Sequence, residues 1–221
     1  MEKYIPLLGR TQLFSGVGQQ DIQAMLSCLG ARLQTFQKGE YVLRRGEHLR
    51  ELILLAEGCL LIQKDDYWGN RSILAQLSPG ELFGEAYVES GVLLNDVVAT
   101  QNSVVIFFDV KRMITTCSSA CRFHTAVVQN LFFAISEKNR KLVQKLDHIS
   151  RRSTREKLIS YLSEEASRHN SPQFTIPFNR QQLADYLSVD RSAMSNELCK
   201  MRDEGLLQFE KNRFQLLDLP L

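Results

Sequence analysis

Between residues 31 and 108, short apolar runs alternate with turns that contain glycine. The runs are rich in Val, Ile, Leu and Phe, which is typical of strands. Glycine readily adopts the positive φ that tight turns need. Many short strands at regular spacing predict a small antiparallel roll. The runs are Tyr41–Leu43, Leu52–Ala56, Cys59–Gln63, Arg71–Leu77 and Val104–Val110, and the glycines beside them are Gly39, Gly46, Gly58, Gly69 and Gly80.

Helical periodicity flanks this region on both sides. Residues 1–29 look helical, and Ile22, Met25, Leu26 and Leu29 share one face. From about residue 120 to residue 148, apolar residues recur every three or four positions. This spacing predicts a long helix with a seam like that of a coiled coil, interrupted by Lys138 and Lys145. The seam residues are Val128, Leu131, Ile135, Leu142, Leu146 and Ile149.

A long helix outside a small roll needs a partner for its apolar face. We expect that partner to be the same helix of a second subunit, which predicts a homodimer. The alternative is a helix that packs wholly on its own domain.

Residues 179–207 predict two short helices joined by a tight turn. Asn179 can cap the first helix, with Gln182 reaching back to it, and Asp190 can cap the second. Gly205 is a typical residue to end the second helix. The pattern indicates a helix-turn-helix, and the alternative is a helical hairpin in an ordinary core. The residues expected to point inward are Leu183, Ala184, Leu187, Ala193, Met194, Leu198 and Met201.

The outward face of the second helix favours DNA reading. A solvated helix usually carries long charged pairs, whereas this one carries short hydrogen-bonding side chains in its first two turns. A short strand at Phe174–Pro177 and a hairpin after Gly205 predict a winged helix-turn-helix. The residues expected to contact bases are Arg191, Ser192, Ser195 and Asn196. The residues expected to hold phosphates are Arg152, Arg180, Lys211 and Arg213.

Composition adds limits to this picture. The chain has 221 residues, of which 44% are hydrophobic, enough for two domains with real cores. The net charge of +2 gives no strongly basic footprint, so any DNA contact must rely on a local basic patch. We expect a cytoplasmic protein with reduced thiols, because no signal segment or membrane-length apolar run accompanies its 5 cysteines.

The order of these parts resembles the CRP/FNR family, the catabolite-activator-like transcription regulators. The resemblance is carried by Pro79–Glu85 in the roll and by Leu183–Leu187 with Asp190–Ser192 in the helix-turn-helix. It implies an α+β regulator that binds a pseudo-palindromic site on double-stranded DNA as a homodimer, with RNA polymerase as a further partner. The implied domains are residues 1–118, an effector-binding β-roll like a cyclic-nucleotide-binding domain; residues 119–149, the dimerisation helix; and residues 150–221, the winged helix-turn-helix.

The resemblance also implies an effector site in the roll. Its residues would be Gly84, Glu85, Asn95, Asp96, Leu142 and Val143. In cyclic-nucleotide-binding members an Arg-Ser pair holds the phosphate, and Asn95 and Asp96 stand at the expected place here. Loss of the guanidinium removes the bidentate clamp, so we expect an unidentified small-molecule effector other than cyclic AMP. The alternative for Glu85 is a carboxylate that accepts backbone amide hydrogens in a tight glycine turn.

Cys117, Cys121 and His124 would share one face of a helix. Thiolates and imidazole at this spacing could ligate zinc or iron, with Cys59 or a second subunit completing the set. The alternative is ordinary packing at a helix junction. A redox or metal sensor is therefore one alternative function, and an effector-binding adaptor without DNA binding is another. An enzyme is not expected, because the chain has no phosphate-cradling loop or nucleophile elbow.

Overall fold

The computed structural model describes residues 1–87, 91–114 and 122–217, apart from the side chains of residues 114, 122 and 124. The chain divides into two units. The first unit holds residues 1–64 and 74–139, and the second holds residues 65–73 and 140–221.

The predicted antiparallel roll forms the body of the first unit. Its strands are β1 (Arg32–Phe36), β2 (Tyr41–Leu43), β3 (Glu51–Glu57), β4 (Leu60–Asp65), β5 (Arg71–Leu77), β6 (Leu82–Phe83), β7 (Asp96–Ala99) and β8 (Ser103–Asp109). They make two four-stranded sheets, with the orders β1-β8-β3-β6 and β2-β7-β4-β5. The apolar pattern did not predict β1, β6 or β7.

The central strands β3 and β8 are buried on both faces. They run antiparallel, with Leu52 opposite Phe108. Leu52 packs against the N-terminal helices α1 (Ile5–Leu8) and α2 (Gln19–Cys28), whereas Ile53 packs into the core between the two sheets. A strand that is covered on both sides has no polar face, which explains the almost unbroken apolar runs in the sequence.

After β8 come the short helix α3 (Val110–Ile114) and the predicted long helix, α4 (Arg122–Ser150). One face of α4 packs on the core that the N-terminal helices share with the roll. Val127 is buried there, and Asn130 donates to the carbonyls of Leu13 and Ser15 in the N-terminal segment. Leu131, a predicted seam residue, packs against this core instead. The large apolar side chains of α4 that stay exposed are Val128, Phe132, Phe133, Ile135, Leu142, Val143 and Leu146.

The two lysines that interrupt the apolar spacing lie outside the exposed stripe of α4. Lys138 donates from Nζ to the carbonyl of Leu82. Lys145 is buried. Its Nζ atom donates to the carbonyl of Ile73 and lies 4.4 Å from the ring centroid of Tyr186. Burial lowers the pKa of Lys145 to about 8. Both lysines therefore belong to the interior side of the helix.

The second unit contains the predicted winged helix-turn-helix. Its elements are α5 (Thr154–His169), β9 (Gln173–Thr175), α6 (Arg180–Leu187), α7 (Arg191–Asp203), β10 (Leu207–Glu210) and β11 (Arg213–Leu216). The strands form an antiparallel sheet in the order β10-β11-β9. The helices meet in a core in which Leu158, Leu162, Leu183 and Leu198 are fully buried.

A polar cluster around the buried His148 joins the end of α4 to α5. The Nδ1 atom of His148 lies 2.8 Å from the hydroxyl of Ser160, and its Nε2 atom lies 3.1 Å from a carboxylate oxygen of Glu164. A neutral imidazole with its proton on Nε2 satisfies both neighbours. Burial lowers the pKa of His148, and the carboxylate of Glu164 acts in the opposite direction.

Replacing His148 by glutamine is expected to flatten the pH dependence of stability. The folded protein binds this proton less readily than the unfolded chain does. Its contribution to the free energy of unfolding is therefore present above the pKa of an unfolded histidine, about 6.5, and is lost as the pH falls. Urea titrations between about pH 7.5 and about pH 5.5 should show a smaller loss for His148→Gln than for the wild type.

Glu164→Gln serves as the comparison for this prediction. It removes the carboxylate that raises the pKa of His148, so the loss of stability on acidification should become steeper. If the wild type and His148→Gln lost the same stability on acidification, the pH dependence could not be assigned to His148.

Candidate DNA-reading helix and effector pocket

Helix α6 begins at the cap that the sequence predicts. The side-chain oxygen of Asn179 accepts from the backbone N–H of Gln182 at 2.9 Å, and the Gln182 side chain accepts from the backbone N–H of Asn179 at 2.9 Å. This reciprocal pair satisfies two amide groups that a helix start leaves free. Leu183, Ala184 and Leu187 are buried, so α6 is fixed on its inner face.

The turn before α7 sets the direction of the second helix. Ser188 adopts a left-handed conformation, with φ of 54°. Asp190 then caps α7, because its side-chain oxygen accepts from the backbone N–H of Ala193 at 2.7 Å. Lys157 of α5 donates to the carbonyls of Leu187 and Ser188, which end α6. The turn is therefore held at both ends.

The first two turns of α7 carry the predicted base-contacting residues. Arg191, Ser192 and Asn196 are exposed, and so is Ala193, which was wrongly predicted to point inward. Ser195 is half-buried, and its hydroxyl donates to the carbonyl of Arg191 at 2.8 Å. The guanidinium of Arg191 has no hydrogen bond or ion pair within the part of the chain that the structure describes. Three of the four predicted side chains are thus available to a partner at the helix start.

Helix α7 is anchored to α5 by an ion pair network that no local pattern predicts. Arg155 donates from Nε to Glu197 and from its two terminal nitrogens to both carboxylate oxygens of Glu204, at 2.8 and 2.7 Å. The hydrogen bonds from Glu204 and Glu197 raise the pKa of Arg155 above its already high ordinary value. Arg155 is one of the basic residues near the start of the domain, but only the fold shows that its charge is already paired.

The residues predicted to hold phosphates fall into two groups. Arg152, Lys211 and Arg213 are exposed, and Lys211 stands at the tip of the β10–β11 hairpin with φ of 53°. Arg180 is half-buried instead. Its guanidinium carbon lies 4.6 Å from the ring centroid of Phe209 and 5.0 Å from that of Phe214, as in cation–π contacts.

The burial of Arg180 has an electrostatic consequence. Burial lowers the pKa of its guanidinium. One terminal nitrogen, Nη2, is buried and has no hydrogen-bond partner among the described residues. The side chain therefore supports the wing by packing against its aromatic rings, a role that the sequence did not indicate.

The predicted effector residues Gly84 and Glu85 follow β6 in the roll. Gly84 has φ of 105°, and a Cβ atom there would lie 2.8 Å from the carbonyl oxygen of Glu51. No other residue fits this approach of two backbone segments. Glu85 starts a short 3-10 turn, Glu85–Tyr87, and its side chain is 13% exposed.

The carboxylate of Glu85 has a partner that the sequence does not indicate. Its Oε1 atom accepts from Nζ of Lys138 in α4 at 2.7 Å. Its Oε2 atom is buried and has no partner among the described residues. The alternative of a carboxylate held by backbone amides is not what the structure shows at this position. A helix lysine supplies the hydrogen bond.

The other predicted effector residues have separate settings. Asn95 donates to the hydroxyl of Tyr87 at 3.1 Å, and Asp96 accepts from the backbone N–H of Arg45 at 2.8 Å. These two side chains hold neighbouring loops of the roll. Leu142 and Val143 belong to the second unit, where both are exposed on α4.

The metal-binding prediction falls mostly outside the described residues. Cys117, Cys121 and the side chain of His124 lie there. Within the described part of the chain, no group of three or more His, Cys, Asp or Glu residues is placed to hold a metal ion. Cys59, the predicted extra ligand, is a buried free thiol. Among the described helices, none is both long enough and apolar enough to cross a membrane.

Two protein families match successive parts of the chain. Residues 33–120 match the cyclic nucleotide-binding domain, and residues 156–221 match the Crp-like helix-turn-helix domain. Together they span more than half of the sequence and coincide with the roll and the winged helix-turn-helix. The chain therefore belongs to the CRP/FNR family of DNA-binding transcriptional regulators.

Individual relatives agree with this assignment. The cyclic AMP receptor protein of Thermus thermophilus is 24% identical over 197 residues, which is 89% of this chain and 88% of that protein. The structure of FixK2 from Bradyrhizobium japonicum superposes with a TM-score of 0.66 at 20% identity, covering 85% of this chain and 93% of FixK2. The c-di-GMP-responsive regulator CLP of Xanthomonas campestris gives 0.71 at 15% identity, covering 89% and 98%. At these identities the two structures establish a shared fold.

Proposed function

We propose that this protein is an effector-responsive regulator that binds a pseudo-palindromic DNA site as a homodimer. It acts as a regulator and not as an enzyme, in the cytoplasm. The observation that carries the proposal is the start of α7, where Arg191, Ser192 and Asn196 are exposed on a helix fixed by its cap and by Arg155. A rigid helix end with short polar side chains suits the major groove.

The exposed stripe of α4 supports the homodimer. Its members recur in alternate steps of four and three residues, as in a heptad repeat, and Asn139 fills the step between Ile135 and Leu142. A heptad seam favours a second helix of the same kind, and a two-fold axis along it would pair the two stripes. A dimer of this type presents two DNA-reading helices to two half-sites. The members of the stripe are Val128, Phe132, Ile135, Leu142 and Leu146.

The residues predicted to contact DNA have separate proposed roles. Arg191 would read a guanine edge, with Ser192, Ser195 and Asn196 completing the base contacts. Arg180 is proposed mainly to position the wing, because its guanidinium lies over two aromatic rings there. Its predicted phosphate contact remains a prediction. The residues proposed to hold phosphates are Arg152, Lys211 and Arg213.

The effector is proposed to bind in the roll and to differ from cyclic AMP. One relative is named for cyclic AMP and another for c-di-GMP, so proteins that share this fold respond to different nucleotides. Here Asn95 and Asp96 offer an amide and a carboxylate at the place expected to hold a phosphate, and a carboxylate repels a phosphate. RNA polymerase is the proposed protein partner.

Selection from random DNA duplexes tests the proposal. We expect the purified protein to enrich an inverted repeat with half-sites about 10 base pairs apart, centre to centre. Sedimentation of the complex should give two protein chains per duplex. Enrichment of a single half-site would contradict the homodimer. No enrichment at low salt would favour the adaptor that has lost DNA binding.

A further inference from the structure

The roll and α4 are joined by a direct contact. Lys138 lies on α4, and its ammonium group reaches both Glu85 and the carbonyl of Leu82. The exposed fractions of the two charged side chains are only 26% for Lys138 and 13% for Glu85. A charge pair with this little exposure is screened much less by salt than one at the surface.

The contact sits at a tightly packed point of the roll. Gly84, next to Glu85, is pressed against the backbone of β3, so the turn that carries the carboxylate has little freedom. Lys138 lies between Val127, which is buried on the roll, and the exposed residues near the C-terminal end of α4. A change in the Glu85 contact would therefore act on the middle of the helix that carries the proposed dimer seam.

We propose that Lys138 is an internal effector. Its ammonium group donates to the Glu85 carboxylate. It thereby replaces the hydrogen-bond donor that a bound small molecule would supply. The pair thereby ties α4 to the roll without a ligand and holds the dimer in its DNA-binding arrangement. A small molecule would act on this protein by competing with Lys138 for Glu85. This inference rests on the proposed DNA-binding function and goes beyond it.

The unpartnered oxygen of Glu85 is consistent with such competition. Lys138 satisfies Oε1 and leaves Oε2 without a donor among the described residues. A ligand with two adjacent N–H or O–H donors would satisfy both oxygens at once, as a bidentate partner does. The expected competitor therefore carries paired donors, and it needs no phosphate.

The test measures operator affinity of the ligand-free protein, purified by unfolding and refolding so that no small molecule stays bound. The wild type is expected to bind the selected operator. Lys138→Met and Glu85→Gln should each weaken binding about tenfold or more, because each leaves one half-buried charge without its partner. Lys138→Arg keeps the charge and should retain most of the affinity. Lys141→Met, which changes an exposed lysine of the same helix, should bind like the wild type.

The double variant separates coupling from general damage. If the two residues act through their mutual contact, Glu85→Gln with Lys138→Met should lose less affinity than the product of the two single losses. Each variant is compared at a temperature well below its midpoint of unfolding, with its dimer mass confirmed.

Three results would overturn the inference while leaving the proposed function intact. The first is wild-type affinity in both single variants, and the second is tighter binding in either of them. The third is a wild type that binds its operator only after a small molecule is added. A wild type that ignores DNA with or without cell extract would instead overturn the proposed function itself.

Discussion

Replacing Phe132 by lysine is expected to convert the dimer into monomers and to remove most operator binding. Phe132 is 67% exposed in the single chain and lies on the heptad stripe of α4. In the proposed dimer the change would place two ammonium groups near the two-fold axis and lose two buried rings. The combined cost is about 3 kcal/mol or more, so the dimer dissociation constant should rise about a hundredfold or more.

Operator affinity should fall with the dimer. In a dimer, binding of one reading helix holds the other at a high effective concentration near the second half-site. A monomer has no second reading helix and loses this gain. Sedimentation equilibrium and gel shifts on the selected operator measure the two effects on the same samples.

Phe133→Lys is the matched control. Phe133 is 56% exposed, and its ring meets that of Phe132 edge-on, with ring centroids 6.2 Å apart. One residue further along a helix turns by about 100°, so Phe133 points away from the stripe. This variant should stay dimeric and bind the operator. Dissociation in both variants, or in neither, would rule out the stripe as the dimer contact.

Replacing Arg191 by alanine is expected to relax specificity at one base position. The Arg191 side chain is exposed at the start of α7 and has no hydrogen bond or ion pair among the described residues. A bidentate contact to guanine is worth about 1–3 kcal/mol, so affinity for the preferred base should fall about five- to 150-fold. Binding to sites with another base at that position should change little. Competition assays on all single-base variants of the half-site give this pattern directly.

Arg213→Ala provides the contrast for Arg191. Arg213 lies on the wing and is proposed to hold a phosphate, so its loss should weaken all sequences alike. The plot of log affinity against log salt concentration should become shallower, by about one unit of slope for each phosphate contact removed. A uniform loss for Arg191→Ala would move that residue to the backbone-contacting group.

Much of the fold follows from short-range pattern. Asn179 with Gln182, and Asp190 at the start of α7, were predicted as caps and are caps in the structure. The glycine turns of the roll also have the expected positive φ, as at Gly58 and Gly80. These features are predictable because cap and turn geometry depends on residues only a few positions apart.

The details of the seam were less predictable. Leu131 and Phe132 are adjacent apolar residues, and either could continue a spacing of three or four. Leu131 was predicted to lie on the seam, whereas the structure packs Leu131 on the core of the roll and leaves Phe132 exposed. Periodicity identifies a helix with apolar faces, but it does not say which face meets the protein's own core.

The sequence by itself determined the order of elements, the caps of the reading helices and the polar residues at the start of α7. Only the tertiary structure decided that Arg180 packs on the rings of the wing and that Lys138 binds Glu85. Both contacts join residues that are far apart along the chain. Their partners depend on how the completed elements pack together, and no local pattern of residues encodes that.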